Sequence, residues 1–365
     1  MSQMQHYLAI VAWGLCAAAL ALGSLIAPGL PPWLLVFTIV GSLSAARMFV
    51  RFSLWVDGTI AALGIAATLV SLPEMSPPPP AFYWLALVAA WVFAWLFVER
   101  LSRAMGRGEV EPGVFGFLVP LIFGITILAL WEAVTRGAGV PSVILPPPSA
   151  IWARIASSLP TLWADFQQTF LKAVLIGYTL GCGLGFAVAI LIDRSPFLKR
   201  GLLPLGNFVS ALPIIGVAPI MVMWFGFDWP SKAAVVVIMT FFPMLVNTVA
   251  GLNAAGAMER DLMTTYAAGY WQTLLKLRLP AAAPFIFNAL KINSTLALIG
   301  AIVAEFFGTP IVGMGFRIST EVGRMNVDMV WAEIAVAALA GSAFYGVVVL
   351  LERAITFWHP SVRSA

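Results

Sequence analysis

Residues 261–280 read DLMTTYAAGYWQTLLKLRLP, and they lie between two apolar runs, roughly 233–252 and 285–306. Each run has the about 20 mostly apolar residues that a membrane-spanning helix needs. The stretch between them places Leu262, Tyr266, Trp271, Leu274 and Leu275 among polar residues, the pattern of an amphipathic helix. Leu279–Pro280 then reads as a helix stop, because proline disfavours the helical conformation in the residue before it. A loop of about 30 residues between two spans is long. Such a helix offers an apolar and aromatic ridge to a partner groove. The alternative is a helix that rests on lipid headgroups.

The whole chain agrees with a membrane setting. Of its 365 residues 61% are hydrophobic and only 10% are charged, with a mean hydropathy of +0.97. A soluble domain has about 25% charged residues, so this chain cannot clothe itself for water. Cys16 and Cys182 fall inside apolar runs and read as packing residues. The two histidines, His6 and His359, sit near opposite ends. No His, Cys and carboxylate residues stand at metal-ligand spacing, and no Gly-rich phosphate loop appears. The net charge of +4 reads as loop bias rather than nucleic-acid binding.

Hydropathy gives ten candidate spans, at about 7–27, 32–49, 53–72, 82–98, 114–132, 169–192, 205–226, 233–252, 285–306 and 330–351. The first lacks a basic lead and is read as a retained helix, not a cleaved signal. Arg100, Arg103, Arg107, Arg194, Lys199, Arg200, Arg260, Lys276, Arg278, Arg353 and Arg363 all fall on one side of that arrangement. Basic loops face the cytoplasm, so both termini and the 253–284 loop are expected there. The fold class expected is an all-α polytopic membrane protein. Four spans cover 1–98, a polar connector follows at 99–113, and the remaining six spans lie within 114–355. The Pro-led segment 145–166 reads as an external amphipathic helix.

The 261–280 stretch resembles the EAA loop of permease subunits of bacterial ABC importers. The family pattern is E-A-A, three residues, G, nine residues, then I-x-L-P. Anchored on Leu279–Pro280, it falls on Asp261, Leu262, Met263, Ala267 and Leu277. The acid is kept, the two alanines are replaced, and the glycine becomes Ala267, with a Gly two residues later at Gly269. The flanks LPIIGVAPIMVMWFGFDWPSKAAVVVIMTFFPMLVNTVAGL (212–252), LPAAAPFIFNALKI (279–292), AIVAEFFGTPIVGMGFRI (301–318) and ILPPPSAIWARI (144–155) are similar to the nitrate/sulfonate/taurine branch of these permeases. The likeness covers about 114–355 and leaves 1–98 outside it.

The resemblance implies a division of labour. A second permease copy completes the path in the bilayer, ATP-binding cassette subunits sit beneath it, and a periplasmic or lipid-anchored binding protein delivers the solute. The chain itself would be no enzyme and hold no cofactor, since ATP belongs to the partner, and it would lie in the bacterial inner membrane. The loop would be a coupling helix. Asp261 would fix its start, Ala267 and Ala268 would allow close approach, and Tyr266, Tyr270 and Trp271 would touch the ATPase. Pro280 would set the angle into the next span. Thr265, Gly269 and Leu279 belong to the same element.

Within the spans, Glu305, Asn293, Ser294, Asn247, Met221 and Trp224 are candidates for the solute path. An ionisable group inside the membrane is costly and functional by default. Against that stand a helix-end carboxylate bonded to backbone at Glu305, interhelical hydrogen bonding by the polar residues, and plain packing by Met221 and Trp224. Lys291 is expected to snorkel. Gly177, Gly181, Gly183 and Gly185 read as a close-packing face. Asp57 stands isolated in its apolar run. AEFFGTPIVGMGFRI leans towards importers of heterocycles such as riboflavin or thiamine-precursor pyrimidines, with nitrate, sulfonate or taurine as the alternative. An ATP-independent secondary transporter would be expected to show paired intramembrane charges or internal repeats, and a membrane enzyme would need clustered catalytic groups; the sequence displays neither.

Overall fold

The computed structural model describes residues 3–26, 31–46, 53–74, 78–110, 112–195, 197–198, 200–202, 204, 213–308 and 311–358. The side chains of 112–115 are not included in that description. The described residues form helices and connecting turns, with no strand among them. Eight helical stretches are long and apolar enough to cross a membrane: Gln3–Ile26, Leu54–Ser71, Ala81–Gly106, Gly116–Gly137, Leu159–Arg194, Trp229–Leu252, Tyr270–Glu305 and Val327–Ile355. The chain separates into two compact units, Met1–Ala153 and Arg154–Ala365.

The first unit holds α1 (Gln3–Ile26), α2 (Pro32–Ala46), α3 (Leu54–Ser71), α4 (Ala81–Gly106) and α5 (Pro112–Gly137). α4 is its centre, packed against α1, α3 and α5. Small residues on α1 (Ala12, Cys16, Ala19) and aromatic residues on α2 and α4 (Trp33, Phe37, Phe82, Tyr83, Phe93) share one core. Asp57 on α3, buried among these apolar helices, forms an ion pair with Arg100 on α4. That partner lies 43 residues away in sequence, beyond any periodicity signal. The expected connector at 99–113 is helical as far as Gly106, because α4 runs on past its apolar run with Glu99 and Arg103 paired at i,i+4. The unit boundary at 153/154 falls later than that connector, since α5 packs on α4 and α3.

α6 (Pro148–Ser157) follows the Pro-rich lead. Glu132 on α5 accepts from the Ser149 amide at 2.9 Å and the Ser149 hydroxyl at 2.6 Å, which satisfies a donor at the start of α6. α7 (Leu159–Phe166) continues through a π-helical stretch, Gln167–Val174, into α8 (Leu175–Arg194). The 145–166 segment is thus two short helices, with Trp152 and Trp163 exposed.

The second unit continues with α9 (Ile214–Phe225), α10 (Trp229–Leu252), α11 (Ala257–Thr265), α12 (Tyr270–Thr273) and a π-helical stretch, Leu274–Arg278. α13 (Leu279–Glu305), α14 (Met314–Gly323) and α15 (Val327–Ile355) complete it. Two expected spans are short as described: α2 has 15 residues and α9 has 12. Residues 47–49 and 205–212 of those runs lie outside the described residues.

α10 is the centre of the second unit, packed most heavily on α8 and α13. The glycine face of α8 explains the closeness. A Cβ at Gly177 would lie 2.6 Å from Val236 Cβ, and one at Gly185 would lie 2.5 Å from the Phe241 carbonyl oxygen. Gly181 fits against Thr240 and Val237 in the same way, whereas Gly183 points into open space. On α10 and α13, Gly251 meets Ala282 and Phe285. Small residues let helix backbones approach where packing, not water exclusion, supplies the attraction.

Candidate functional site

The 253–284 loop is built from α11, a left-handed turn and α12. α11 starts at Ala257 with Gly256 as N-cap, and Glu259 occupies its first turn. Asp261, expected at the helix start, lies at the fifth position and is exposed, its carbonyl accepting from the Thr265 hydroxyl at 2.9 Å. The helix ends in a Schellman motif: Ala268 N–H reaches the Met263 carbonyl at 3.0 Å and Ala267 N–H reaches that of Thr264 at 2.9 Å. The motif requires a left-handed residue at its pivot, and Ala267 has φ 53°. This is the position where the family pattern carries glycine. Gly269 has φ −70° and serves a different role, as N-cap of α12 with its amide donating to Gln272 Oε1 at 3.2 Å.

The outer face of this loop is apolar and unburied. Met258 is 83% exposed, Tyr266 77%, Leu262 55% and Trp271 54%. None of α11 is buried against the rest of the chain. Leu274, by contrast, turns inward and packs with Leu252 and Ala282.

The expected stop at Leu279–Pro280 does not stop the helix. Tyr270–Glu305 is one continuous helical stretch, and Pro280 falls in the first turn of α13. The π-helical turn Leu274–Arg278 resets the hydrogen bonding just before it. A proline needs no amide donor at such a position.

The inner side of the loop is held by polar contacts. Arg278 donates to both oxygens of Asp193 at 2.7 and 2.6 Å, and its Nε donates to the Leu252 carbonyl at 2.9 Å. Tyr270 donates its hydroxyl to Asp193 at 3.0 Å. The Arg194 guanidinium lies 5.5 Å from the Tyr270 ring centre and 5.8 Å from that of Trp271.

The opposite end of the second unit is a closed network. Asp165 accepts from Gly313 N–H at 2.6 Å and Arg317 Nε at 2.8 Å. Thr169 accepts from Met314 N–H at 2.8 Å and donates to Glu305 at 2.7 Å. Glu305 also accepts from Gly315 N–H at 2.7 Å. Three successive amides at the start of α14 are thereby satisfied, and the carboxylates face the positive end of that helix. Gly313, with φ 141°, sits so close to Glu305 that a Cβ would lie 2.8 Å from its carboxyl carbon. Arg317 is held above the ordinary arginine range, first by its hydrogen bonds to Asp165.

Beside this network, Ala164, Gln167, Gln168, Lys172, Phe227, Asp228 and Val312 line an open pocket of about 620 Å³. Lys172 donates to Gln168 at 3.0 Å, and Gln168 donates to Asp228 at 2.7 Å. Asp228 caps α10 through the Trp229 amide at 2.7 Å. That amide holds the Asp228 carboxyl below its usual range, with Gln168 adding to the effect against partial burial.

Of the path candidates, Glu305, Asn293, Ser294 and Met221 are buried inside the unit, Asn247 is half-buried and Trp224 is exposed. Asn293 donates to the Thr240 carbonyl at 2.7 Å and to Cys182 Sγ at 3.2 Å, joining α13 to α10 and α8. Ser294 donates to the Lys291 carbonyl, and Asn247 to the Pro243 carbonyl. Met221 packs with Ala218, Val235 and Ala304. Lys291 is paired with Glu352 on α15 at 2.8 Å. With Asp57 and Arg100 it shows that several helix charges are matched, which single-residue reading had missed because the partners are far apart in sequence.

Comparison with known proteins agrees with this layout. Residues 177–357 match the family model described as binding-protein-dependent transport system inner membrane component. The chain is 31% identical over 241 residues to the formylaminopyrimidine transport permease protein ThiX of Halalkalibacterium halodurans, covering 66% of this chain and 96% of that one. It is 30% identical over 269 residues to the riboflavin transport system permease protein RibX of Chloroflexus aurantiacus, covering 72% and 98%. It is 28% identical over 268 residues to the putative aliphatic sulfonates transport permease protein SsuC of Bacillus subtilis, covering 73% and 95%. A multi-helix membrane core with an exposed amphipathic loop between α10 and α13, matched along nearly the full length of such relatives, makes this chain a member of the ABC transporter permease family of binding-protein-dependent transport systems.

Proposed function

We propose that the chain is the permease subunit of an ATP-driven importer, and that its 253–284 loop docks into an ATP-binding cassette subunit on the cytoplasmic side. The observation that carries this reading is the exposed ridge of Met258, Leu262, Tyr266 and Trp271 on a loop whose inner side is firmly held. An apolar ridge on a short helix suits a groove in a partner. In this reading both termini are cytoplasmic, the membrane is the bacterial inner membrane, and a periplasmic or lipid-anchored binding protein brings the solute. A second copy of the chain completes the path. The exposed face of α9, with Met223 and Trp224, then lies on the path side.

The solute favoured is a heterocycle of the vitamin or pyrimidine type. The support is the likeness to ThiX and RibX, together with a pocket whose Gln167 and Gln168 amides offer both donors and acceptors. Lys172 at the same pocket favours the alternative, an anion such as a sulfonate, as does the likeness to SsuC.

The test is co-purification of the chain from its native membrane followed by ATPase measurement in nanodiscs. The wild type is expected to bring an ATP-binding subunit with it. The double change Tyr266→Asp/Trp271→Asp places two charges on the ridge and is expected to release that subunit. A chain that purifies alone and moves solute without ATP sinks the reading and promotes a secondary transporter.

A further inference from the structure

We propose that Asp193 and Arg278, together with Tyr270, form a clamp that carries motion of the 253–284 loop into α8. The proposal rests on the reading of that loop as the docking element for an ATP-binding subunit, and it names the residues that make the loop's motion felt in the bundle.

The geometry is specific. The Asp193 side chain is 6% exposed and that of Arg278 is 13% exposed. One carboxylate accepts three hydrogen bonds, two from Arg278 and one from Tyr270. A paired, charge-assisted fork of this kind fixes orientation as well as distance. Arg278 also takes the Leu252 carbonyl, one of the carbonyls left over at the end of α10. One guanidinium therefore joins the ends of α8 and α10 to the last turn of the loop.

Asp193 does little for α8 by itself. A carboxylate in the last turn of a helix opposes the helix dipole. Among the described residues its hydrogen-bond partners come from the loop side. On that side it holds Tyr270, whose neighbour Trp271 belongs to the exposed ridge, and Arg194 covers both rings. The π-helical turn Leu274–Arg278, a device common at functional sites, follows the ridge residue Trp271 and ends on the clamp residue Arg278. Beyond Asp193, α8 packs closely on α10 at Gly185 and Gly177, where an added Cβ would meet Phe241 and Val236 within 2.6 Å. Packed elements of this kind carry displacement over distance.

The experiment uses the chain with its co-purifying ATP-binding subunit in nanodiscs. Amide hydrogen exchange is measured with and without Mg-ATP and orthovanadate. In the wild type, nucleotide trapping is expected to change protection in two places, the 253–284 loop and the α8 peptide ending at Arg194. Asp193→Asn should keep the partner bound and keep the loop response but lose the α8 response. The charge swap Asp193→Arg/Arg278→Asp should restore part of it, which a purely local packing role would not produce. Tyr270→Phe keeps both charges and removes one hydrogen bond, so it weakens the α8 response in a chain with no new cavity or charge. An α8 response that persists in Asp193→Asn and Tyr270→Phe overturns the clamp. A wild type whose loop responds but whose α8 does not overturns the clamp alone. A wild type with no partner or no loop response overturns the docking reading, and the clamp with it.

Discussion

At the Gly313–Gly315 end of the second unit, every carboxylate oxygen of Glu305 has a donor, and the donors come from backbone and a threonine within the same bundle. At the Asp193 end, the carboxylate is equally well served, but two of its three donors belong to Arg278 and the third to a loop residue. The first end closes upon itself and has an open pocket beside it. The second end ties an exposed ridge to the helices. Both use buried charge, yet one fixes a helix terminus and the other joins a loop to the ends of two helices. A buried carboxylate thus says little about function until its donors are known.

Breaking the closed end should have the largest effect on stability. Glu305→Ala leaves the Gly315 amide and the Thr169 hydroxyl without their acceptor in a buried site. Stranded donors of this kind cost about 3 kcal/mol together. Thermal unfolding in detergent should show that loss, with Glu305→Gln milder because an amide oxygen still accepts one bond. An equal loss for the two variants would mean that the charge, not the hydrogen bonding, holds α14.

Between the two ends lies the α8–α10 seam. Gly185→Val forces a side chain onto the Phe241 carbonyl and Met244, and overpacking of this order costs roughly 2 kcal/mol. A Cβ at Gly183 meets nothing within 4 Å, so Gly183→Ala should leave unfolding nearly unchanged. If both variants unfold alike, the glycine face is not the contact that couples the ends. A smaller effect is expected at the pocket. Asp228→Ala removes the N-cap of α10 and should cost about 1 kcal/mol. The Asp228 carboxyl is held below its usual range, so its contribution is full above the unfolded value and fades as pH falls through the lowered one. Unfolding of wild type and variant should therefore converge in acid; a gap that stays constant down to low pH argues for a packing effect.

Hydropathy was enough to find the long helices, since a span is a local run of about 20 residues. At α9 the described helix has 12 residues behind Pro213 at its N-cap, and residues 205–212 of the expected run lie outside the described residues. The glycine face of α8 was also legible, through its four-residue spacing, with Gly183 the one member that faces outward. What local reading could not find were the partnerships. Asp57 with Arg100, Glu305 with Thr169, and Asp193 with Arg278 are separated by 43, 136 and 85 residues. Asp193 and Arg278 look like ordinary residues at the ends of helices until the fold brings them together. The helix stop expected at Leu279–Pro280 failed for a different reason. A π-helical turn absorbs the proline, and no composition rule announces one.

The smallest effect is the sharpest test of the loop itself. Ala267 holds the left-handed pivot of the Schellman motif with φ 53°, a conformation that costs an L-residue about 1 kcal/mol and glycine almost nothing. Ala267→Gly also gives the unfolded chain more freedom, which offsets part of the gain. The net expectation is a loop stabilised by about 0.5 kcal/mol. Slower amide exchange at Ala267 and Ala268, whose amides close the motif, would report it. Gly269→Ala at φ −70° has open space around it and no strain to relieve, so it serves as the contrast. Faster exchange in Ala267→Gly would mean that the turn is held by its neighbours rather than by its own geometry. The alignment of Ala267 with the family's glycine would then rest on sequence spacing alone. Slower exchange would instead tie that spacing to a physical requirement, the one residue at which α11 must reverse before α12 can return the chain to Asp193.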